Sequence, residues 1–362
     1  MKKITTRLAL ITTTALTVMA ASLSTPSTIS AQASIQINGS GATFPQKLYE
    51  EWAFAYASVD AGVKINYGGG GSGKGKTDII NGTVDFAGSD AALTDGEAGR
   101  KPLVQIPTVA GAVVVIFNVA GVKDLTLDGS TVGKIYGGQI SKWNDPAILA
   151  LNPGAKLPNS PIVVVHRSDG SGTTSIFTNY LTKASPEWVA TVKPSAGTTV
   201  DWPVDKVKRG LGGSGNPGVA AAVQKTRNAI GYVELEYATS QKISYTKMIN
   251  AAGKTIDASA ASTIEAQLDG VFDKRLAASI QNSKREGAWP IAGYTYIILN
   301  KDYADCAKAA KLLSFITWSI TSPEGQAIAT KRQFATLPAA IVPQVGQAIK
   351  SVTCNNGNSV FK

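Results

Sequence analysis

The stretch His166-Arg167-Ser168-Asp169-Gly170-Ser171-Gly172-Thr173-Thr174 gathers a guanidinium, several hydroxyls and a run of backbone N–H groups directly after the apolar segment Ile162 to Val165. A strand that ends there and a helix that begins near Thr173 leave N–H groups unpaired at the positive end of a helix dipole, which is an anion site in itself. Arg167 adds a planar fork matched to an oxyanion. Asp169 lies two residues on, on the same side if the strand stays extended, where its carboxylate can fix the guanidinium side-on. Taken alone, the segment also fits a surface salt bridge above a helix cap.

A second stretch invites another chemistry. Gly70-Gly71-Ser72-Gly73-Lys74-Gly75-Lys76-Thr77 matches the nucleotide-binding pattern GxxxxGK[ST] and follows a candidate strand. A P-loop-type nucleotide-binding protein using Gly70 to Thr77 is therefore the alternative function. Against it, a glycine-rich run meets the pattern easily, and no apolar strand ending in a magnesium-binding Asp is evident. Other catalytic patterns are weaker still: there is no GxSxG elbow, and Ser244-Tyr245-Thr246-Lys247 lies in an ordinary polar stretch. The sole histidine, His166, reads as a strand-end residue in water, and no metal-ligand cluster accompanies it. The reading is of a protein that is not an enzyme and carries no cofactor or metal.

The elements that position these groups follow from the apolar pattern. Val63 to Tyr67, Ala112 to Phe117, Ile162 to Val165, Ile230 to Glu234 and Tyr294 to Leu299 are short runs bounded by turn residues. Several lack alternation, as expected of parallel strands covered on both faces, with amphipathic segments between them, so the fold class is α/β. Helices are expected near Pro45 (Leu48, Trp52, Ala55 and Tyr56 on one face), near Thr173 (Phe177, Tyr180, Leu181) and near Ala307 (Leu312, Leu313, Ile316). Glycine makes up 36 of 362 residues and is clustered at Gly39 to Gly41, Gly68 to Gly75, Gly170 to Gly172 and Gly210 to Gly218. The first three clusters precede candidate helix starts; no role is assigned to the fourth.

Met1 to Ala33 reads as an export signal: Lys2, Lys3 and Arg7 precede an apolar stretch from Leu8 to Ala21, and Ala31-Gln32-Ala33 forms a small-residue cleavage site. The stretch is short of the ~20 apolar residues of a spanning helix, and no cysteine near the cut offers a lipid anchor. A soluble periplasmic protein starting at Ser34 is expected, long enough for two lobes. The three basic residues of the signal lower the formal charge from +10 to +7. The remaining lysines are scattered, which suits a small anion in an exported protein better than nucleic acid. Cys306 and Cys354, the only cysteines, are expected to form a disulfide.

Four segments together resemble the phosphate-binding proteins of bacterial ABC phosphate importers: Gly39-Ser40-Gly41-Ala42-Thr43-Phe44-Pro45, Gly69 to Gly75, Val84-Asp85-Phe86-Ala87-Gly88-Ser89-Asp90, and Arg167 to Thr173. Tyr136 to Asp145, Ala229 to Glu234 and Trp289-Pro290-Ile291 add supporting matches, so the resemblance spans nearly all of the exported chain. It implies a two-lobe periplasmic-binding-protein fold (type II) with the ligand in the interlobe cleft. It also implies that Thr43, Phe44, Ser72, Arg167, Ser171, Gly172 and Thr173 donate to phosphate, that Asp90 accepts, and that Asp169 holds Arg167. Pro45 suits the first helical position. The second loop departs from the commoner serine-serine-glycine form, having Gly73 after Ser72 and two extra lysines, Lys74 and Lys76. The chain is expected to cross between lobes near residues 108 to 112 and 286 to 292. Lobe I then holds 34–110 and 289–362, and lobe II holds 111–288. The implied partners are inorganic phosphate and the membrane permease of an ABC importer, with the receptor itself a monomer that neither binds nucleic acid nor inserts into membrane.

Overall fold

The computed structural model describes Ser34 to Phe361; the export signal and its cleavage after Ala33 fall on Met1 to Ala33, outside the described residues. Each apolar run named above lies in or against a strand. In chain order the strands that matter for the site are β1 (Ile35–Gly41), β2 (Val63–Gly68), β3 (Phe86–Ser89), β4 (Leu103–Asn118), β5 (Val163–Arg167), β6 (Gly210–Gly213), β7 (Ala229–Glu234), β8 (Ala292–Asn300) and β9 (Ala335–Thr336). The helices are α1 (Gln46–Tyr56), α2 (Ser72–Asn81), α3 (Gly172–Ala184), α4 (Gly215–Lys225), α5 (Leu235–Ser240) and α6 (Cys306–Thr321).

Among the described residues the strands form a nine-stranded sheet in the order β2-β1-β3-β8-β4-β7-β5-β6, with β9 also paired to β4. The long strand β4 is the axis. It pairs with β8 from Leu103 to Ala112 and with β7 from Val113 to Asn118, so the sheet has a β1 half and a β7 half sharing one strand. Every β4 residue from Gln105 to Phe117 is buried. The Trp289 indole donates to the Val113 carbonyl at 2.9 Å, where β4 changes partner.

Strand direction differs from expectation in part. β1, β2 and β3 run parallel to one another, as do β5, β6 and β7. The runs Ala112 to Phe117 and Tyr294 to Leu299 instead pair antiparallel, in β4 with β7 and β8. Their unbroken apolar character reports burial on both faces at the middle of the sheet, which an antiparallel strand acquires equally well when it crosses the core.

The three expected helices are present. On α1 the buried face is Leu48, Tyr49, Trp52 and Tyr56, and Ala55 is only half-buried. Leu48, Trp52 and Tyr56 recur every fourth residue, the spacing of one helical stripe. Phe177, Tyr180 and Leu181 face the core from α3, and Leu312, Leu313 and Ile316 do so from α6. Cys306 is disulfide-bonded to Cys354, 48 residues away, tying the start of α6 to the C-terminal segment. No helix among the described residues is long and apolar enough to cross a membrane.

Candidate functional site

Three helix starts meet where the two halves of the sheet face each other. Thr43 and Phe44 join β1 to α1. Pro45 takes the N-cap place rather than the first helical one, because its carbonyl already accepts the first helical bond, from the Tyr49 N–H at 2.9 Å. Ser72 opens α2. Ser171 caps α3, its hydroxyl accepting from the Thr174 N–H at 3.0 Å, with Gly172 and Thr173 in the first turn. The N–H groups of Thr43, Phe44, Ser72 and Thr173 donate to no acceptor among the described residues. Such groups persist in a buried place only where another acceptor comes to them.

Contacts across the halves close the site. The Ser72 hydroxyl accepts the Gly172 N–H at 3.0 Å and the Asp90 N–H at 3.1 Å, and the Gly73 N–H donates to the Gly170 carbonyl at 2.8 Å. Two glycines make this approach possible. At Gly172 a Cβ would lie 2.4 Å from Ser72 Oγ and 2.6 Å from Asp90 Oδ2. At Gly71, whose φ is +92°, it would lie 2.2 Å from Asp169 Oδ2.

Arg167 ends β5 with its side chain 1 % exposed. Its Nε donates to Asp169 Oδ1 at 2.8 Å, its Nη2 pairs with Asp169 Oδ2, and its Nη1 donates to Thr173 Oγ1 at 3.3 Å. Burial works to raise the Asp169 pKa, but the Arg167 hydrogen bonds and charge, with the Gly215 N–H at 2.9 Å, hold it below the usual carboxylate range. Asp90 is the opposite case. Burial pushes its carboxyl up to about 7, against the Thr295 hydroxyl donating to Oδ1 at 2.8 Å, the charge of Arg167, Ser72 and Lys76. Such a carboxyl is partly protonated near neutral pH, and a group that donates a hydrogen bond to it favours its charged form.

Of the residues singled out in sequence, Ser72, Asp90 and Gly172 form one bonded group, and Arg167, Asp169, Thr173 and Thr43 form another. Asn216, which sequence reading missed, joins Thr43 to Thr173. Its backbone N–H and Nδ2 each donate to Thr43 Oγ1 at 3.0 Å, and Nδ2 also donates to Thr173 Oγ1 at 3.1 Å. Tyr237 and Thr295 were missed as well; the Tyr237 hydroxyl donates to the Thr43 carbonyl at 2.7 Å. The only available signal for Asn216 was the glycine cluster around it and Pro217, a helix start like the other three. Phe44 contributes backbone alone, since its ring packs edge-on against Phe334 at 5.7 Å.

Two readings change. His166 is buried rather than in water: Nε2 lies 2.8 Å from Asp205 Oδ1 and the ring stacks on Trp202 at 5.0 Å, because β5 is covered to its end. In Gly70 to Thr77 neither lysine points to the site. Lys74 pairs with Asp78 one turn along α2, and Lys76 turns inward to Glu97 and the Ala92 carbonyl, both at 2.9 Å. A helix entered at Ser72 places Lys76 on the buried face, so the nucleotide reading loses the lysine it needs for phosphates.

A sequence profile described as a PBP superfamily domain matches residues 26–324. The phosphate-binding protein PstS of Xylella fastidiosa is 40 % identical over 329 residues, covering 90 % of this chain and 88 % of that one. The chain belongs to the PstS family of the PBP superfamily. The PstS protein of Haemophilus influenzae is 38 % identical over 314 residues, covering 85 % and 91 % of the two chains. A solved structure, that of the high-affinity periplasmic phosphate-binding protein PfluDING bound with phosphate, aligns with a TM-score of 0.67 at 25 % identity, over 86 % of this chain and 93 % of that one. The fold is thus the two-lobe, type II periplasmic-binding-protein fold.

Proposed function

We propose that the chain captures inorganic phosphate in the cleft between its lobes and delivers it to the membrane permease of an ABC importer. The observation that carries this reading is the imbalance of the site: a buried guanidinium, hydroxyls and unpaired N–H groups converge with Asp90, whose carboxyl forms no ion pair among the described residues. Phosphate near neutral pH has many acceptor oxygens and at least one proton, and it matches both sides of that imbalance. The names of the relatives support the same ligand.

The ligand set is Thr43, Phe44, Ser72, Asp90, Arg167, Ser171, Gly172 and Thr173, with Asp169 holding Arg167; the Gly172 N–H, bonded to Ser72 Oγ in this structure, turns from that hydroxyl to the anion. Lobe I comprises 34–110 and 289–362, lobe II 111–288; the change of β4 partner between Ala112 and Val113 supports the division. The receptor acts as a periplasmic monomer, cleaved after Ala33, and is not an enzyme: His166, the one imidazole, is tied to Asp205 and Trp202 rather than to a nucleophile. Around eight charge-assisted bonds contribute gross energy above ~10 kcal/mol, and association and closure take back about 4 to 15 kcal/mol, leaving a Kd on the order of micromolar or tighter. Equilibrium dialysis of the exported chain against radiolabelled phosphate, with sulfate and ATP as competitors, tests this. Retention of phosphate that neither competitor displaces is expected; displacement by ATP would restore the nucleotide reading.

A further inference from the structure

The Gly210 to Gly218 cluster resolves into β6, the Ser214 N-cap and the start of α4. Its Asn216 is fully buried. The amide orientation is dictated by neighbours: the Glu234 N–H can only donate, and at 2.9 Å it requires Oδ1 to face it. The Nδ2 group must then face the other way, where its two hydrogens are divided between Thr43 Oγ1 at 3.0 Å and Thr173 Oγ1 at 3.1 Å. The Asn216 backbone N–H, one of the unpaired donors of a first helical turn, adds the second bond to Thr43 Oγ1 at 3.0 Å.

A hydroxyl has two acceptor positions and one hydrogen. Both acceptor positions of Thr43 Oγ1 are filled by Asn216. Those of Thr173 Oγ1 are filled by Asn216 and by Arg167 Nη1 at 3.3 Å. Each hydroxyl is left with only its hydrogen to offer. Thr173, Arg167 and Asn216 share the β7 half, whereas Thr43 belongs to the β1 half, so the Thr173 bonds are made within one half and the Thr43 bonds exist only when the halves are together.

We infer that Asn216 is a positioning residue that holds the Thr173 hydroxyl as a donor within its own half and locks the Thr43 hydroxyl as a donor on lobe closure, making the closed cleft donor-rich before ligand oxygens are bound. The inference rests on the phosphate-capture reading. At Thr43 closure and donor polarity become one event, since the amide that already fixes the Thr173 hydroxyl also bridges the lobes and decides which way the Thr43 hydroxyl points.

The test is a double-mutant cycle read by phosphate titration of wild type, Asn216→Ala, Thr43→Val and the double variant, with melting of each ligand-free protein. Wild type must bind phosphate; if it does not, the parent reading fails and not this one. Asn216→Ala is expected to weaken phosphate about ten- to thirty-fold, the loss of a few net hydrogen bonds. In the Thr43→Val background the further loss should shrink to about three-fold, while the fall in ligand-free melting temperature caused by the unpaired Glu234 N–H should be similar in both backgrounds. Unchanged affinity in Asn216→Ala, or the same fold-loss in both backgrounds, overturns the inference, because a merely structural asparagine acts independently of the Thr43 hydroxyl. If the alanine variant does not fold, Asn216→Asp keeps the volume and the acceptor for the Glu234 N–H but presents an oxygen to both hydroxyls. It should lose phosphate by more than about a hundred-fold, and a folded aspartate variant with wild-type affinity overturns the inference equally.

Discussion

Removing the Arg167 guanidinium should do more than delete a ligand contact. The side chain is almost wholly buried and three of its nitrogens are engaged, two of them on Asp169. Arg167→Ala leaves Asp169 without its cation at the edge of an anion site, and breaking a buried pair on one side costs about 3 to 5 kcal/mol. At 1.4 kcal/mol per factor of ten, that is a loss of roughly 10² to 10⁴ in phosphate affinity. Two further variants identify the cause. Asp169→Ala added to Arg167→Ala should recover part of the loss, because the orphaned carboxylate is gone. Arg167→Lys should fall between the two, since an ammonium supplies charge without the fork that pairs side-on with Asp169. Calorimetric titration with phosphate, beside a melting curve for each variant, measures all three. Binding by a folded Arg167→Ala within ten-fold of wild type would refute the assignment of the guanidinium to the ligand.

Other outcomes follow from the same geometry. Lys74→Ala should leave affinity and stability nearly unchanged, whereas Lys76→Ala should destabilise the fold by about 1 to 3 kcal/mol through the stranded Glu97 while phosphate affinity stays within about three-fold, both read from melting and titration. Intact mass of periplasmic protein should correspond to a chain starting at Ser34 with no alkylatable thiol until reductant is added, given the Cys306–Cys354 bond. Asp90, raised from 3.8 to about 7, keeps its proton in the folded chain where the unfolded chain has lost it, so its contribution to stability falls as pH rises from about 4 to 7. At 1.36 kcal/mol per unit the fall is on the order of 4 kcal/mol. Ligand-free wild type should therefore lose stability relative to Asp90→Asn over that window in denaturant titrations, and parallel profiles would remove the effect.

Sequence patterns reached the parts of this protein whose signal is local. Arg167 and Asp169 are two residues apart, and the helix starts at Gln46, Ser72 and Gly172 are marked by glycine, serine and threonine within a few positions. The pairing of β4 and β8 was not legible, because an apolar run records burial and not direction. Asn216 was hidden for a different reason: its bonds reach Thr43 across 173 residues, and nothing in an isolated Gly-Asn-Pro specifies which hydroxyl will face it. The GxxxxGK[ST] match misled at Lys76 because the pattern counts letters, while the register of α2 decides which face each lysine occupies.

The most direct test concerns Asp90, the carboxylate proposed to face the anion. The Asp90 Oδ1 acceptor is filled by the Thr295 hydroxyl, leaving Oδ2 to the site beside Gly172. Above pH 7, where Asp90 is ionised, protonated phosphate would donate to that oxygen on the proposed reading; sulfate has no hydrogen to give and would meet it as a bare acceptor. A site built around a required donor rejects an analogue lacking it by about 10⁴ to 10⁵ fold. Calorimetry of phosphate and sulfate against wild type and Asp90→Asn should show wild type binding phosphate and refusing sulfate, with the asparagine variant keeping much of its phosphate affinity and admitting sulfate. An unchanged phosphate-to-sulfate ratio in Asp90→Asn would contradict the placing of phosphate in this cleft.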